Sequence, residues 1–183
     1  MNKLMMIAVS GIFALTACVA SEKNVASNTH QLELHFTNPA WNGENIPTGQ
    51  QCRRFGGIEP KTPALEIKKI PPKANAIIIE FSDKSYAPMD NGGHGKIGYV
   101  IDQGIETVVI PSIPGHTFDL PKRFFVVAAH QAPDWDDAGA YLPPCSGGNG
   151  NIYYATVKAI YRAHSKDQKS VLLAESVINM GRY

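Results

Sequence analysis

The chain has 183 residues and nearly balanced charge, with 17 Lys and Arg against 16 Asp and Glu and a net charge of +1 at pH 7. A balanced chain without a basic patch rich in aromatics lacks the composition of a nucleic-acid-binding protein, so we expect no nucleic-acid partner. About 150 residues beyond the N-terminal leader are enough for one domain with a substantial core.

The chain begins with a segment typical of exported proteins. Lys3 forms a short basic region, and Leu4–Ala14 is an apolar run. This run is too short for a membrane-spanning helix, which needs about 20 apolar residues. The next residues, Leu15–Cys18 (LTAC), resemble the lipobox of bacterial lipoproteins. The sequence therefore predicts a lipoprotein signal peptide over residues 1–17. The alternative is an ordinary secretory signal cleaved near Ala20, which would leave a soluble periplasmic protein.

The lipobox resemblance implies that Cys18 becomes the first residue and carries the membrane anchor. Its thiol would receive a diacylglycerol and its amino group an acyl chain such as palmitate, and two or more chains give stable anchoring to a lipid bilayer. Residues 18–30 are mostly small and polar, which predicts a tether. Val19, in the place where Asp would favour retention in the inner membrane, favours the outer membrane. We expect a periplasm-facing protein of the bacterial cell envelope.

Strand signals dominate residues 31–183, which we predict to form one domain. Apolar or alternating runs are bounded by Pro, Gly, Asn or Asp. In chain order these runs are Gln31–Phe36, Ala76–Phe81, Tyr99–Ile101, Glu106–Ile110, Phe124–Ala129 and Tyr153–Ala163. A last segment, Lys169–Asn179, fits either helix or strand. Many short strands with Pro- and Gly-rich turns predict a mostly β fold, either a sandwich or a barrel.

Two cysteines, Cys52 and Cys145, remain once Cys18 is lipidated or removed. An even count in an oxidising compartment favours a disulfide. Two buried free thiols are the main alternative. A reactive nucleophile is a weaker one, because no adjacent histidine is evident to lower a thiol pKa. No Cys or His pairs have the spacing of a zinc site, so we expect no metal.

Several short motifs, in a fixed order, resemble one known family. Thr62–Leu65 (TPAL) matches S-P-x-L, and Ile79–Pro88 (IEFSDKSYAP) resembles a strand ending in D-P-D-A-P. Ala140–Cys145 (AYLPPC) resembles G-Y-x-G-P-C, and Tyr153–Ile160 (YYATVKAI) resembles Y-x-F-T-V-Y-A-L. The ending Leu172–Tyr183 (LLAESVINMGRY) is similar to L-A-E-x-E-L-x-G-x-Y. Together these blocks resemble the phosphatidylethanolamine-binding protein family, also called Raf kinase inhibitor-like, in its bacterial branch.

This resemblance implies a fold and a ligand pocket. The fold would be an antiparallel two-sheet β-sandwich with a Greek-key element and few short helices. The family pocket is small and accepts phosphate-type head groups without a cofactor. On the matching motifs, the pocket residues of this chain would be Asp83, Pro88, Tyr141, Pro144, Cys145, Asn151 and Tyr153.

The chain departs from the family pattern at the pocket histidines. Asn151 stands where the family has the histidine of H-x-Y, and Gly98 falls where the second pocket histidine is expected. His94, four residues earlier, could act as a substitute or could be a solvated loop histidine. The acidic stretch Asp134–Asp137 (DWDD) lacks the pattern of an EF-hand and predicts a solvated turn.

These observations favour a non-catalytic binding protein over an enzyme. No acid–base pair or nucleophile–base spacing is evident, and Gly93–Gly98 (GHGKIG) is followed by a strand where a dinucleotide site needs a helix. We expect an envelope lipoprotein that binds a small anion or a lipid head group. The alternative is a vestigial pocket on a scaffold that binds another envelope protein.

Overall fold

A computed structural model describes residues 31–163, 165 and 169–183, which form two antiparallel sheets. The predicted signal peptide and tether lie outside the described residues. Within the described part of the chain, no helix has the length and apolar character of a transmembrane span. The predicted β-sandwich is confirmed, with two 3₁₀ turns, Arg53–Phe55 and Ala87–Met89, as the helical elements of the described chain.

The smaller sheet has three strands in the order β1-β2-β5. Its strands are β1 (Glu33–Phe36), β2 (Leu65–Lys68) and β5 (Thr107–Ile110). The larger sheet has five strands in the order β6-β4-β3-β7-β8. Its strands are β3 (Ala76–Asp83), β4 (Lys96–Val100), β6 (Phe124–Ala128), β7 (Ile152–Tyr161) and β8 (Val171–Arg182).

The larger sheet has the strand order of the predicted Greek-key element. Strands β3, β4 and β6 lie side by side, and β7 returns to pair with β3, but the chain passes through β5 of the smaller sheet between β4 and β6, where a simple Greek key has a hairpin. The ambiguous segment Lys169–Asn179 is a strand from Val171 onwards and forms most of β8, which pairs along most of its length with β7. Strand β2 was not among the predicted strands.

The core lies between the two sheets. Leu65 and Ile67 of β2 belong to the same buried cluster as Ile77 and Ile79 of β3. Strand β7 alternates, with every second residue from Tyr153 to Ala159 buried, because one face of the strand meets the core and the other does not. Strand β3 is buried on both faces, as its continuous apolar run predicts.

A second, smaller cluster brings together Cys52, Met89, Ala132, Leu142 and Cys145. Cys52 and Cys145 form a disulfide, with an S–S distance of 2.06 Å and a Cα–Cα distance of 5.2 Å. The predicted crosslink is therefore confirmed, and neither cysteine is a free thiol or a nucleophile in this state. The disulfide holds the Arg53–Phe55 turn beside the two prolines that precede Cys145, Pro143 and Pro144.

Candidate ligand-binding site

The end of β3 and the start of β7 place three predicted site residues together. Asp83 is the last residue of β3 and pairs in register with Tyr153 of β7. Asn151 directly precedes β7, and its side-chain amide donates to the Asp83 carboxylate at 2.6 Å. The Ser85 backbone N–H donates to the other carboxylate oxygen at 2.8 Å. Asp83 is only 3% exposed, so these two hydrogen bonds fix a buried carboxylate.

This carboxylate opens into a small cavity of about 220 Å³, which we call the Asp83 cavity. Its lining residues are Asp83, Tyr86, Trp135, Cys145, Ser146, Asn149 and Asn151. Three of the seven predicted pocket residues, Asp83, Cys145 and Asn151, therefore line one cavity.

Tyr153 contacts a residue of the cavity lining, Cys145, through a hydrogen bond. Its hydroxyl oxygen accepts a hydrogen bond from the Cys145 backbone N–H at 3.2 Å. Burial raises the pKa of Tyr153 well above the usual value for a phenol, and the Asp83 charge adds to this shift. Tyr153 is therefore a neutral phenol at physiological pH that holds the Cys145 segment against β7.

The other three predicted residues lie outside the cavity lining. The Pro144 carbonyl accepts a hydrogen bond from the Cys52 backbone N–H at 2.9 Å. Tyr141 is buried, with its ring centroid 4.6 Å from that of Phe81. Its hydroxyl has no hydrogen-bond partner among the described residues. Pro88 is an exposed residue of the 3₁₀ turn after β3. None of these three residues lines the Asp83 cavity.

His94 is a buried residue, so its description as a solvated loop histidine is wrong. It is 2% exposed, and its Nδ1–H donates to the Leu142 carbonyl at 2.8 Å. Its ring meets that of Tyr153 edge to face, with centroids 5.3 Å apart. Burial lowers the pKa of His94 to about 4, despite the opposing effects of the Leu142 carbonyl and Asp83. His94 is therefore neutral at pH 7 and brings no positive charge to the site.

Gly98, the position expected to hold the second pocket histidine, faces away from the cavity. It pairs with Phe125 of β6, and a Cβ at this position would come within 2.0 Å of the Phe125 ring. Its neighbour Ile97 belongs to the core, so Gly98 lies on the opposite face of β4.

An aromatic wall completes the Asp83 cavity. The rings of Tyr86 and Trp135 lie 5.5 Å apart, centroid to centroid, and both line the cavity. Neither residue was among the predicted site residues. Tyr86 belongs to the motif Ile79–Pro88, which predicted a pocket residue nearby. Trp135 belongs to the acidic stretch Asp134–Asp137, which predicted only a solvated turn.

A second cavity of about 210 Å³, the Arg54 cavity, adjoins the first. It is lined by Arg54, Phe55, Trp135 and Cys145, so the two cavities share Trp135 and Cys145. The Arg54 guanidinium donates to the Trp135 carbonyl at 3.2 Å. The two cavities together form a groove with a guanidinium at one end and a carboxylate at the other.

A larger depression of about 480 Å³ lies around Asn75, Asp102 and Arg162. None of the predicted pocket residues lines it. The groove near Asp83 is therefore the better candidate, because it gathers charged, aromatic and amide side chains around a small volume.

Comparison with solved structures identifies the fold. A crystal structure of a phosphatidylethanolamine-binding protein homolog from Chlamydia trachomatis superposes with a TM-score of 0.52 and 16% sequence identity. The match covers 84% of this chain and 97% of that chain. The chain has the phosphatidylethanolamine-binding protein fold. This confirms the resemblance that the ordered motifs predicted.

The phosphatidylethanolamine-binding protein fold is recognised here by structure alone. No family model matches the sequence, and no curated protein matches it.

Proposed function

We propose that the protein is a lipoprotein of the bacterial cell envelope whose domain binds the polar head group of a lipid, or a small molecule of the same chemistry, without chemical turnover. Its anchor is acylated Cys18, with the outer membrane favoured and the domain facing the periplasm. The lipobox-like segment supports the anchor. The shared fold and the groove formed by the two cavities support a binding role.

The buried Asp83 carboxylate is the observation on which the proposal rests. A buried carboxylate is costly unless it is hydrogen-bonded or paired with a cation. Asp83 has two hydrogen bonds, and none of the residues lining its cavity is Lys, Arg or His. A ligand ammonium group would find a carboxylate beside the rings of Tyr86 and Trp135, which is a combination suited to cation–π recognition.

Arg54 supplies the complementary charge. Its guanidinium lies on the other side of Trp135, in the adjoining cavity, and guanidinium groups bind phosphate through charge-assisted hydrogen bonds. A ligand carrying both a phosphate and an amine would satisfy both ends of the groove. This chemistry is that of a zwitterionic head group, so a simple anion would use only half of the site.

Calorimetric titration of the mature protein tests this assignment. We expect O-phosphorylethanolamine to bind more tightly than either ethanolamine or inorganic phosphate. The substitution Trp135→Ala should weaken binding about tenfold or more, because it removes the wall that both cavities share. Phe118→Ala is the control, since Phe118 is exposed and lines neither cavity. If phosphate alone bound as tightly as O-phosphorylethanolamine, the amine end of the site would be disproved.

A scaffold with a vestigial pocket is the second candidate function. The Asp83 cavity, at about 220 Å³, lies below the roughly 300 Å³ at which small-molecule sites usually begin. The edge strand β6 also exposes Val126 and Val127, and exposed apolar edge strands are suited to pairing with another chain. Absence of binding by all three small molecules, together with photo-crosslinking of an envelope protein from position 127, would favour this function.

Metabolic labelling tests the anchor separately. Cells fed a palmitate analogue should label the wild-type protein and should not label Cys18→Ala. The variant should also leave the membrane fraction, because the acyl chains supply the proposed attachment. Retention of label in the variant would place the modification at another residue.

A further inference from the structure

Three potential metal ligands lie together at the disulfide, and a fourth, His116, adjoins one of them. The two sulfur atoms of Cys52 and Cys145 and a carboxylate oxygen of Asp136 all lie within 4.8 Å of one another. The Nε2 atom of His116 lies 3.5 Å from the Asp136 carboxylate. This set of two sulfurs, one nitrogen and one oxygen contains only ligand types that zinc prefers.

His116 is already oriented as a ligand. Its Nδ1–H donates to the Asp137 carbonyl at 3.3 Å, which leaves the lone pair on Nε2. The Nε2 atom accepts a long hydrogen bond of 3.4 Å from the Arg53 backbone N–H. Histidine ligands in metal sites are commonly held in this way, by a carbonyl or carboxylate on the far ring nitrogen. The His116 side chain is fully buried, so its lone pair points into the protein next to Asp136.

We propose that reduction of the Cys52–Cys145 disulfide converts this cluster into a tetrahedral zinc site. A dithiol reductant would supply two electrons and two protons and would itself become a disulfide, leaving two cysteine thiols. Zinc would then bind both sulfurs as thiolates, with release of the two protons, and would take His116 Nε2 and one Asp136 oxygen as its other ligands. This inference is independent of the proposed head-group function.

The distances are compatible with such a site. Zinc binds sulfur at about 2.3 Å and nitrogen or oxygen at about 2.0 to 2.2 Å, which places neighbouring ligand atoms roughly 3 to 4 Å apart. The Asp136 oxygen and His116 Nε2 are already 3.5 Å apart. After reduction the two sulfurs must separate from bonding distance, and the Asp136 carboxylate and the His116 ring must both move towards them.

Other contacts would hold the ligands together after the disulfide opens. The Arg54 backbone N–H donates to Asp136 at 2.9 Å, and the Arg53 guanidinium pairs with Asp137 at 2.8 Å. These bonds attach the acidic stretch to the turn that follows Cys52. Cys145 lines both cavities of the groove, which gives a reductant a route to the bond. The cluster can therefore open and bind metal without losing its framework.

Zinc titration of the mature protein tests the proposal. The protein is reduced with a phosphine that does not chelate zinc, and zinc is then added against a chromophoric chelator. We expect one zinc ion per reduced chain, and weak or absent binding by the oxidised chain. Cobalt in place of zinc should give thiolate charge-transfer absorption and the intense visible bands of tetrahedral coordination.

Two carboxylate variants decide whether Asp136 is a ligand. Asp136→Asn should weaken zinc binding by the reduced chain at least tenfold. Asp134→Asn makes the same change of charge two residues away, at an exposed residue outside the proposed ligand set, and should leave the affinity within twofold. Equal weakening by both variants would reduce the effect to general electrostatics and overturn the assignment of Asp136.

Folding of the reduced chain provides a second readout. If reduction loosens the protein, zinc should restore its near-ultraviolet circular dichroism, because the metal would replace the lost crosslink. A reduced chain that binds no zinc, or one whose spectrum zinc does not change after such loosening, would overturn the proposal. So would equally tight binding by the oxidised chain.

Discussion

His94 makes the stability of the fold sensitive to acid. Burial lowers its pKa from 6.5 to about 4, so the folded chain holds it neutral where the unfolded chain protonates it. A histidine with a depressed folded pKa contributes stability that is present above pH 6.5 and is lost as the pH falls from 6.5 to 4. The free energy of unfolding should be about 3 kcal/mol lower near pH 4 than above pH 6.5 as a result of this one group. Urea unfolding at a series of pH values measures this slope.

The variant His94→Gln should flatten the slope between pH 6.5 and 4, whatever its stability at neutral pH. Burial also lowers the pKa of His130, so a part of the slope should remain. His35→Gln, at an exposed histidine that pairs with Glu33, is the control and should leave most of the slope in place. An unchanged slope in His94→Gln would mean that His94 is not the buried titrating group.

At the residue scale, the sequence motifs brought together residues that lie close in the structure, and their role in binding stays a prediction. Asp83, Cys145 and Asn151 were identified from short family-like stretches, and they line one cavity. Trp135 precedes the Ala140–Cys145 motif and Arg54 follows Cys52, but no motif position marks either as a pocket residue. They meet at the groove because the disulfide brings their loops together. No local pattern encodes such a meeting, so these residues required the structure.

At the scale of elements, strands β4 and β6 pack closely because β4 has a glycine opposite an aromatic ring of β6. Gly98 of β4 lies opposite Phe125 of β6, whose ring fills the space that a Cβ would take. The same ring stacks under Arg162, with the guanidinium carbon 4.1 Å from the ring centroid. Gly98→Ala should therefore displace the ring and destabilise the protein by about 1 to 3 kcal/mol, as overpacking generally does.

A double-mutant cycle isolates this contact. Denaturant unfolding is measured for Gly98→Ala, for Phe125→Ala and for both together. The cost of the alanine at position 98 should largely disappear when the Phe125 ring is absent. If the two costs simply added, the destabilisation would come from the backbone of Gly98 and the proposed steric contact would be refuted.

Most strands were predictable because their patterns agree with their pairing. Strand β3 is a continuous apolar run, and it lies between two neighbours in the larger sheet. Strand β2 was missed because its four residues, Leu65–Lys68, are too few to show a period against the prolines around them. The segment Lys169–Asn179 stayed ambiguous until its pairing with β7 was known, because an apolar run of that length suits helix and strand alike.

At the scale of the whole molecule, the arrangement of the sheets could be predicted only through the ordered motifs. Alternation and turn residues indicated many short strands, and that much fits either a sandwich or a barrel. The division into sheets of three and five strands depends on long-range pairing, for example Asp83 with Tyr153. The cysteine count favoured a disulfide, but the loops that flank each cysteine in space were known only from the structure.

The disulfide should be a major contributor to global stability, because it joins segments that are 93 residues apart in the chain. A crosslink that closes so long a loop restricts the unfolded chain, and its loss usually costs about 2 to 5 kcal/mol. Guanidinium unfolding of the oxidised and the reduced protein, both with a zinc chelator present, should show this difference as a lower midpoint after reduction. The double variant Cys52→Ala/Cys145→Ala is the control, and its midpoint should not respond to reductant. If reduction left the wild-type midpoint unchanged, the sheets and the small Cys52 cluster would hold this end of the molecule without the bond.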